Sequence, residues 1–488
     1  MILYIIFMIK LKNILIKYFI KLIPLLFIIS FGILINSWVI HNNNFFYADD
    51  WGWFLILKKY SWFNFFKIIP TQMYNDRPIG VLFLKTLFAV FKYNHTIHHT
   101  ILLCIHILNA IMVYLFINQL VKYFHLKLKY LFFLGAIYFI AWPKSIMAVH
   151  WDAAAFDLLS CFFTLIFLNL CMQLLKTKNM LLGILSTIVF LLMVRTKEST
   201  LLISIIPIII IFIKSKPRKL SFNFFKNNLS SLIFILLNIV LTIFYLSYLL
   251  ILANQSHFMG YGPGSPYYVS LNPFIILRNL FRYIYLFVDI FSSNQVFTRY
   301  AQLPLFLSIL FIILIMYLLI HKKTQDIAIL CVFSLILSLF PVLPLSNMQH
   351  KLYLYMPSIF FSIIISLIIA EIHKLSNYYL PVIGLSIFFL YFLNFGYPSV
   401  YSEKQWWLDI GKENRTVFNN IVNYPIARQI NDVEIINITN ETNIFNFGPG
   451  DSLKLINNRN LNVILSKDKK NTIQNKTIKV IDYSKLLE

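Results

Sequence analysis

LSSLIFILLNIVLTIFYLSYLLIL, residues 229–252, carries no charged side chain over its whole length. Coiled as a helix rising about 1.5 Å per residue, it is long enough to cross a hydrocarbon layer about 30 Å thick. It does not alternate apolar and polar residues as a barrel strand would. In lipid every backbone N–H and C=O has to be paired inside the segment, so the run reads as a membrane helix. Similar runs occupy 22–40, 97–117, 130–149, 153–175, 180–194, 200–213, 303–320, 327–345, 352–370 and 379–395. The reading is an all-α polytopic membrane bundle of about eleven transmembrane helices.

Composition agrees: 59% of the 488 residues are hydrophobic and 12% charged, with a mean hydropathy of +0.74. The net charge of +23 does not point to nucleic acid, because the Lys and Arg residues sit in short clusters between apolar runs, where they set orientation. Cys104, Cys161, Cys171 and Cys331 all lie inside apolar runs without metal-site spacing, and read as core thiols. The N-terminus, apolar but interrupted by Lys10, Lys12, Lys17 and Lys21, reads as a retained anchor.

Two apolar runs fit a span poorly: 79–91 is short, and 274–290 contains Arg278, Arg282 and Asp289. If both are interfacial or re-entrant helices in external loops, the basic loops at 12–21, 122–129, 176–178, 214–219, 322–323 and around Lys374 fall on one side, the cytoplasm. Asn43 and Glu488 are then external and Lys216 and Lys323 cytoplasmic. The transmembrane domain is 1–395 with its first external loop at 41–96. The Asn-rich, charged segment 396–488 is expected to form a small α/β extracytoplasmic domain, with a helix near 404–422, strands at 433–438, 461–465 and 478–481, and a turn at Phe447-Gly448-Pro449-Gly450-Asp451.

Acidic residues are scarce before residue 400, so their positions are informative. Asp49, Asp50, Asp76, Asp152, Asp157, Glu198 and Asp289 fall near external helix ends, whereas Asp326 and Glu371 fall in cytoplasmic turns. Adjacent carboxylates such as Asp49-Asp50 can split into base and acid, or hold a divalent cation. Their neighbours Tyr47, Trp51 and Trp53 either mark an interfacial cap or offer faces to a sugar. Arg77 can meet a phosphate bidentately or merely neutralise Asp76. Other external corners supply His150-Trp151-Asp152, Arg195-Thr196-Lys197-Glu198 and Gln349-His350-Lys351-Leu352-Tyr353. His106 and Asn109 read as interhelical hydrogen-bonding residues.

With these residues in view, the chain resembles the GT-C superfamily of integral membrane glycosyltransferases, in particular its protein O-mannosyltransferase-like members. The resemblance rests on Asp49-Asp50 soon after the first span with a loop ending in Arg77-Pro78, and on Arg195-Thr196-Lys197-Glu198-Ser199 before an apolar helix containing Pro207. It also rests on Lys351-Leu352-Tyr353-Leu354-Tyr355-Met356-Pro357-Ser358 and on His150-Trp151-Asp152 followed by Phe156-Asp157-Leu158-Leu159. Two features depart from the pattern: the dyad is Asp-Asp rather than Asp-Glu, and His350-Lys351 stands where an acid or arginine is expected.

The resemblance implies an inverting transfer of a sugar from a polyprenyl-phosphate donor to a lipid, glycan or protein hydroxyl, with no nucleic-acid partner, in a bacterial inner membrane. Asp49 and Asp50 would be catalytic, Asp49 as base. Arg77, His150, Asp152, Lys197, Glu198, His350, Lys351 and Tyr353 would bind substrate, and Arg278 or Arg282 could add to the cations that face the donor phosphate. The one cofactor candidate is a divalent cation at the aspartate pair. The rival readings are an envelope polysaccharide polymerase or ligase, and a transporter of lipid-linked substrates, which should show paired repeats or broken helices.

Overall fold

The computed structural model describes residues 22–47, 49–66, 77–126, 131–143, 147–215, 222–253, 268–288, 302–374, 379–396, 398–423, 432–436, 445, 451–458, 461–465 and 478–486. Among them six helices are long and apolar enough to cross a membrane: Leu22–Ile40, His95–Tyr123, Asp152–Thr177, Glu198–Ser215, Asn228–Tyr248 and Gln325–Val342. A seventh arises if Ile383–Gly396 and Val400–Val422, bent by 44° at their junction, are counted as one. The protein is therefore a multi-pass helical bundle. The runs expected at 130–149, 180–194 and 352–370 fold as apolar helices below that span length, and the run at 303–320 forms the 19-residue helix Gln302–Ile320.

Proline accounts for two of these. The helix Leu131–Ala141 stops before Trp142-Pro143, because the residue preceding a proline is pushed out of the helical region. Lys351–Leu354 forms only a 3₁₀ turn, and the following helix, Ser358–Lys374, starts after Pro357, whose missing N–H is harmless only at a helix start. The two awkward runs become the helices Pro78–Phe91 and Pro273–Val288. The latter is one-sided: Asn279, Tyr283 and Phe287, spaced one turn apart, are buried, while Phe274, Leu277 and Phe281 are exposed.

In the middle of the bundle polar side chains tie helices together, as expected of residues that find no water there. His106 Nε2 donates to Ile140 O at 3.2 Å, so its Nδ1 accepts from the Tyr355 hydroxyl at 2.8 Å. Asn109 Nδ2 donates to Leu158 O and to the same hydroxyl, both at 3.1 Å. The four cysteines are free; Cys161, Cys171 and Cys331 are buried as expected, but Cys104 faces outward.

The C-terminal segment contains three parallel strands, β1 (Asp432–Ile436), β2 (Asn462–Leu465) and β3 (Ile478–Asp482), in the order β2-β1-β3, with the helix Asp451–Asn457 crossing from β1 to β2. Central β1 is buried at Val433, Glu434, Ile435 and Ile436, as parallel strands covered on both faces require. The expected preceding helix runs over Pro398–Val422. Of the expected turn at 447–451 only Asp451 lies among the described residues.

This segment is not a pendant. Its long helix lies against the first loop so closely that a Cβ on Gly411 would stand 2.9 Å from Asn44 Cα and from Phe45 N. Asn414 Nδ2 donates to Phe46 O at 3.2 Å, Arg415 donates to Asn42 O, and the Phe418 ring stacks on Trp51 with centroids 5.5 Å apart. At the end of the chain Tyr483 donates to Glu413 Oε1 at 2.5 Å, fixing the sheet to the same helix.

Candidate active site

Asp49 and Asp50 open the helix Asp49–Lys59, with Lys58 and Lys59 in its last turn, the charge order a helix dipole favours. The far end of this helix is held by Lys85 Nζ, which donates to Leu57 O at 2.6 Å and to Tyr60 O at 2.7 Å and so satisfies carbonyls a helix end leaves unpaired. Lys58 Nζ reaches Leu455 O at 3.1 Å in the C-terminal segment. The first-loop helix is thus clamped on two sides.

The two aspartates are not equivalent. Asp50 is buried; its Oδ2 accepts from Tyr47 N at 2.9 Å and its Oδ1 from Ala153 N at 2.8 Å. It thereby caps, from another part of the chain, the turn Asp152–Ala154 that starts a membrane helix. Burial, and then the neighbouring Asp152 charge, raise the Asp50 carboxyl well above the usual carboxylate range, against the pull of those two donors. Asp49 is partly exposed, but its Oδ1 is buried without a hydrogen-bond partner among the described residues. Desolvation pushes its pKa to about 6.

Tyr47 and Trp51 are 2% and 0% exposed, so neither presents a ring face to lipid headgroups or to a sugar. Tyr47 packs edge-on to Trp407 at 5.0 Å and Trp51 packs under Phe418. That corrects both expectations for these rings, and the cause is the cover supplied by Pro398–Val422. Trp53, one turn along from Asp49 on the same face, is only half-buried and meets the Phe156 ring at 5.0 Å.

Phe156 links Trp53 to an ionic cluster. Its ring fills the space where Gly80 lacks a Cβ, and Arg77 lies over it with Cζ 5.7 Å from the centroid. Arg77 makes a bidentate pair with Glu198, Nε to Oε2 at 2.8 Å and Nη2 to Oε1 at 2.5 Å. Burial lowers the guanidinium pKa, but Glu198 more than reverses this and holds it above its ordinary value. Lys197 is ion-paired with Asp157, both nearly buried, and its Nζ lies 5.4 Å from the centre of the Tyr353 ring. Lys351 pairs with Glu403 at 3.1 and 3.3 Å. The His350 imidazole, within electrostatic reach of Asp157, Lys351 and Lys197, is driven below its ordinary pKa chiefly by burial.

Five residues singled out in the sequence, Arg77, Lys197, Glu198, His350 and Tyr353, are thus brought together, with Lys351 beside them. Two are not. His150 is buried among the rings of Trp38, Tyr47 and Trp407, 4.6 to 5.8 Å away, and Asp152 is buried with its Oδ2 2.5 Å from His98 Nδ1 and its Oδ1 3.6 Å from His99 Nε2. Both are buried in the framework around Asp50. Arg278 and Arg282 bond Ser346 O and Gln349 Oε1 instead of joining the cluster. Asp76 and Asp289 lie outside the described residues.

The sequence reading missed Glu403, which arrives from the C-terminal helix, and the role of Asp157 as counter-ion. It also missed His95, His98 and His99, which a spacing of three and four residues puts on one helix face; His98 and His99 reach Asp152, and His95 meets Arg415. Among the described residues no group of three His, Cys, Asp or Glu side chains is arranged to hold a metal ion. With a backbone N–H on each oxygen, Asp50 anchors the first-loop helix to the turn Asp152–Ala154. No family model matches the chain and no curated protein is recognisably similar to it.

The acids separate by helix end. Asp50, Asp152, Asp157 and Glu198 gather where their helices begin, whereas Asp326 opens the helix Gln325–Leu339, whose other end leads toward the 343–351 loop. Glu371, 3.3 Å from His321 Nε2, closes the helix that Ser358 begins on the cluster side.

Proposed function

We propose that the protein is an inverting membrane glycosyltransferase of the GT-C type, moving a sugar from a polyprenyl-phosphate donor to an acceptor hydroxyl. The observation that carries this reading is Asp49: a partly exposed carboxylate with one oxygen unpartnered among the described residues, poised at about 6 on a helix that its neighbour fixes in place. A base of that kind is in its working form at neutral pH. The acceptor O–H would lose its proton to Asp49 as the oxygen attacks the anomeric carbon and the lipid phosphate departs.

The ionic cluster supports the same reading in a modified form. Arg77, Lys197 and Lys351 each have a carboxylate partner, so a donor phosphate would have to displace Glu198, Asp157 or Glu403 from one of them, a swap in which a cation keeps an anionic partner throughout. The direct test is transfer of labelled sugar from a polyprenyl-phosphate-linked donor to solubilised envelope acceptors by purified protein. Transfer is expected above the level without enzyme, and its absence across hexose and pentose donors would overturn the assignment.

The reading also requires the cluster to face away from the cytoplasm, in a chain of about eleven crossings. The basic loops place Asn43 outside and Lys323 inside the cell. Single cysteines put at these positions should react with an impermeant maleimide in intact cells at 43 and only after permeabilisation at 323. The opposite pattern would put the cluster on the wrong side for a donor carried outward.

A further inference from the structure

Arg77, Lys197 and Lys351 are each matched by a carboxylate, but among the described residues Arg278 and Arg282 are not. Arg278 and Arg282 stand one turn apart on Pro273–Val288, both exposed. Among the described residues they bond only neutral acceptors. Arg278 donates from Nη2 to Ser346 O at 3.1 Å, with long bonds of 3.4 Å to Asn279 Oδ1, and Arg282 donates from Nη1 to Gln349 Oε1 at 2.9 Å. Two like charges held this close ask for an anion.

The helix that carries them is rigidly seated. Buried Asn279 Nδ2 donates to Leu343 O and Leu345 O, both at 2.8 Å, and its Oδ1 accepts from Gln349 Nε2 at 3.1 Å. The chain just before the helix pairs with the same loop, Ser270 N to Pro344 O at 2.8 Å and Ser346 N to Tyr268 O at 3.0 Å. Beside the arginines an apolar row faces outward: Phe274 is 82% exposed, Leu277 50% and Phe281 53%. A charged pair next to such a row is stable at the headgroup boundary, where guanidinium groups meet phosphate and apolar side chains meet acyl chains.

We propose that Arg278 and Arg282 clamp the phosphate of an anionic phospholipid of the surrounding bilayer, with its acyl chains along Phe274, Leu277 and Phe281. Two forks one turn apart suit the tetrahedral oxygens of one phosphate. Charge complementarity selects an anionic over a zwitterionic headgroup, and the outward-facing row selects a ligand that arrives from the lipid phase. Because Gln349 bonds both Arg282 and Asn279 and precedes His350, the lipid would also brace the loop that carries His350 and Lys351. The inference does not depend on sugar transfer.

The test is native mass spectrometry of the full-length protein in detergent, titrated with phosphatidylglycerol, phosphatidylcholine or glycerol 3-phosphate. Phosphatidylglycerol is expected to be retained more tightly than phosphatidylcholine. The double variant Arg278→Ala/Arg282→Ala is expected to weaken that retention about tenfold, with the weaker phosphatidylcholine binding unchanged. Arg278→Lys/Arg282→Lys, which keeps charge without the fork, should fall between, and serves if the alanine variant does not fold. Equal retention of phosphatidylglycerol by wild type and both variants would overturn the proposal. So would full displacement by glycerol 3-phosphate, which lacks chains, or arginine-dependent retention of a polyprenyl phosphate in preference to phosphatidylglycerol, which would make this a donor site.

Discussion

Asp49→Asn is expected to slow sugar transfer by about a hundredfold to ten-thousandfold while making the folded protein more stable at neutral pH. The two effects have one cause. Folded Asp49 keeps its proton up to about pH 6, whereas an unfolded aspartate releases it near 4, so between those values the folded state binds more protons. Stability from this group is therefore complete below the unfolded value and is lost as pH rises through about 6. The rise from an ordinary 3.8 to about 6 sets the loss at up to about 3 kcal/mol. Asparagine has no proton to lose and escapes it.

Activity should run the other way in the native protein, rising as pH passes about 6 and the base ionises. Turnover of a labelled donor and thermal unfolding in detergent, each measured at acid and neutral pH, separate the possibilities. Near-normal turnover excludes Asp49 as the base. Loss of turnover accompanied by loss of stability would make it a structural cap. Asp50→Asn is the contrasting case: it weakens the link to Tyr47 N and Ala153 N and should destabilise.

Lys197→Met should cost about 3 to 5 kcal/mol of stability, because it leaves the Asp157 carboxylate nearly buried and without its counter-ion. Replacing both partners, Lys197→Met with Asp157→Leu, removes the stranded charge and should recover most of that loss. Chemical unfolding of the single and double variants reads this directly. If the double variant is as unstable as Lys197→Met alone, the lysine is held by other contacts than the pair. A stable double variant that has lost sugar transfer would place the pair in donor handling as well as in folding.

The membrane class was legible because a long uncharged run has one stable form in lipid, and the strands of 396–488 were legible from short β-branched runs. Helix ends were harder. At 130–149 and 352–370 hydropathy continues through Trp142-Pro143 and Tyr355-Met356-Pro357, and only the backbone restriction of proline says where the helix stops. For the candidate site, the sequence shows which residues stand at helix ends, and that sufficed to bring Arg77, Lys197, Glu198, His350 and Tyr353 together. It does not show pairing: Glu403 reaches Lys351 across a gap of 52 residues. Nor does it show cover. Tyr47 and Trp51 have the composition of an interfacial belt, and only the fold places Trp407 and Phe418 over them.

Gly411 leaves room for nothing but backbone between the last long helix and residues 43–45 of the first loop. A contact of that kind joins an early part of the chain to a late one, so it orders events during synthesis. When the first loop emerges, the helix that covers its backbone has yet to be translated, and Asn42 O and Phe46 O wait for Arg415 and Asn414. Until then Tyr47 and Trp51 lack the cover of Trp407 and Phe418. The first loop is thus made early and packed late, when residues 398–422 arrive to cover its backbone.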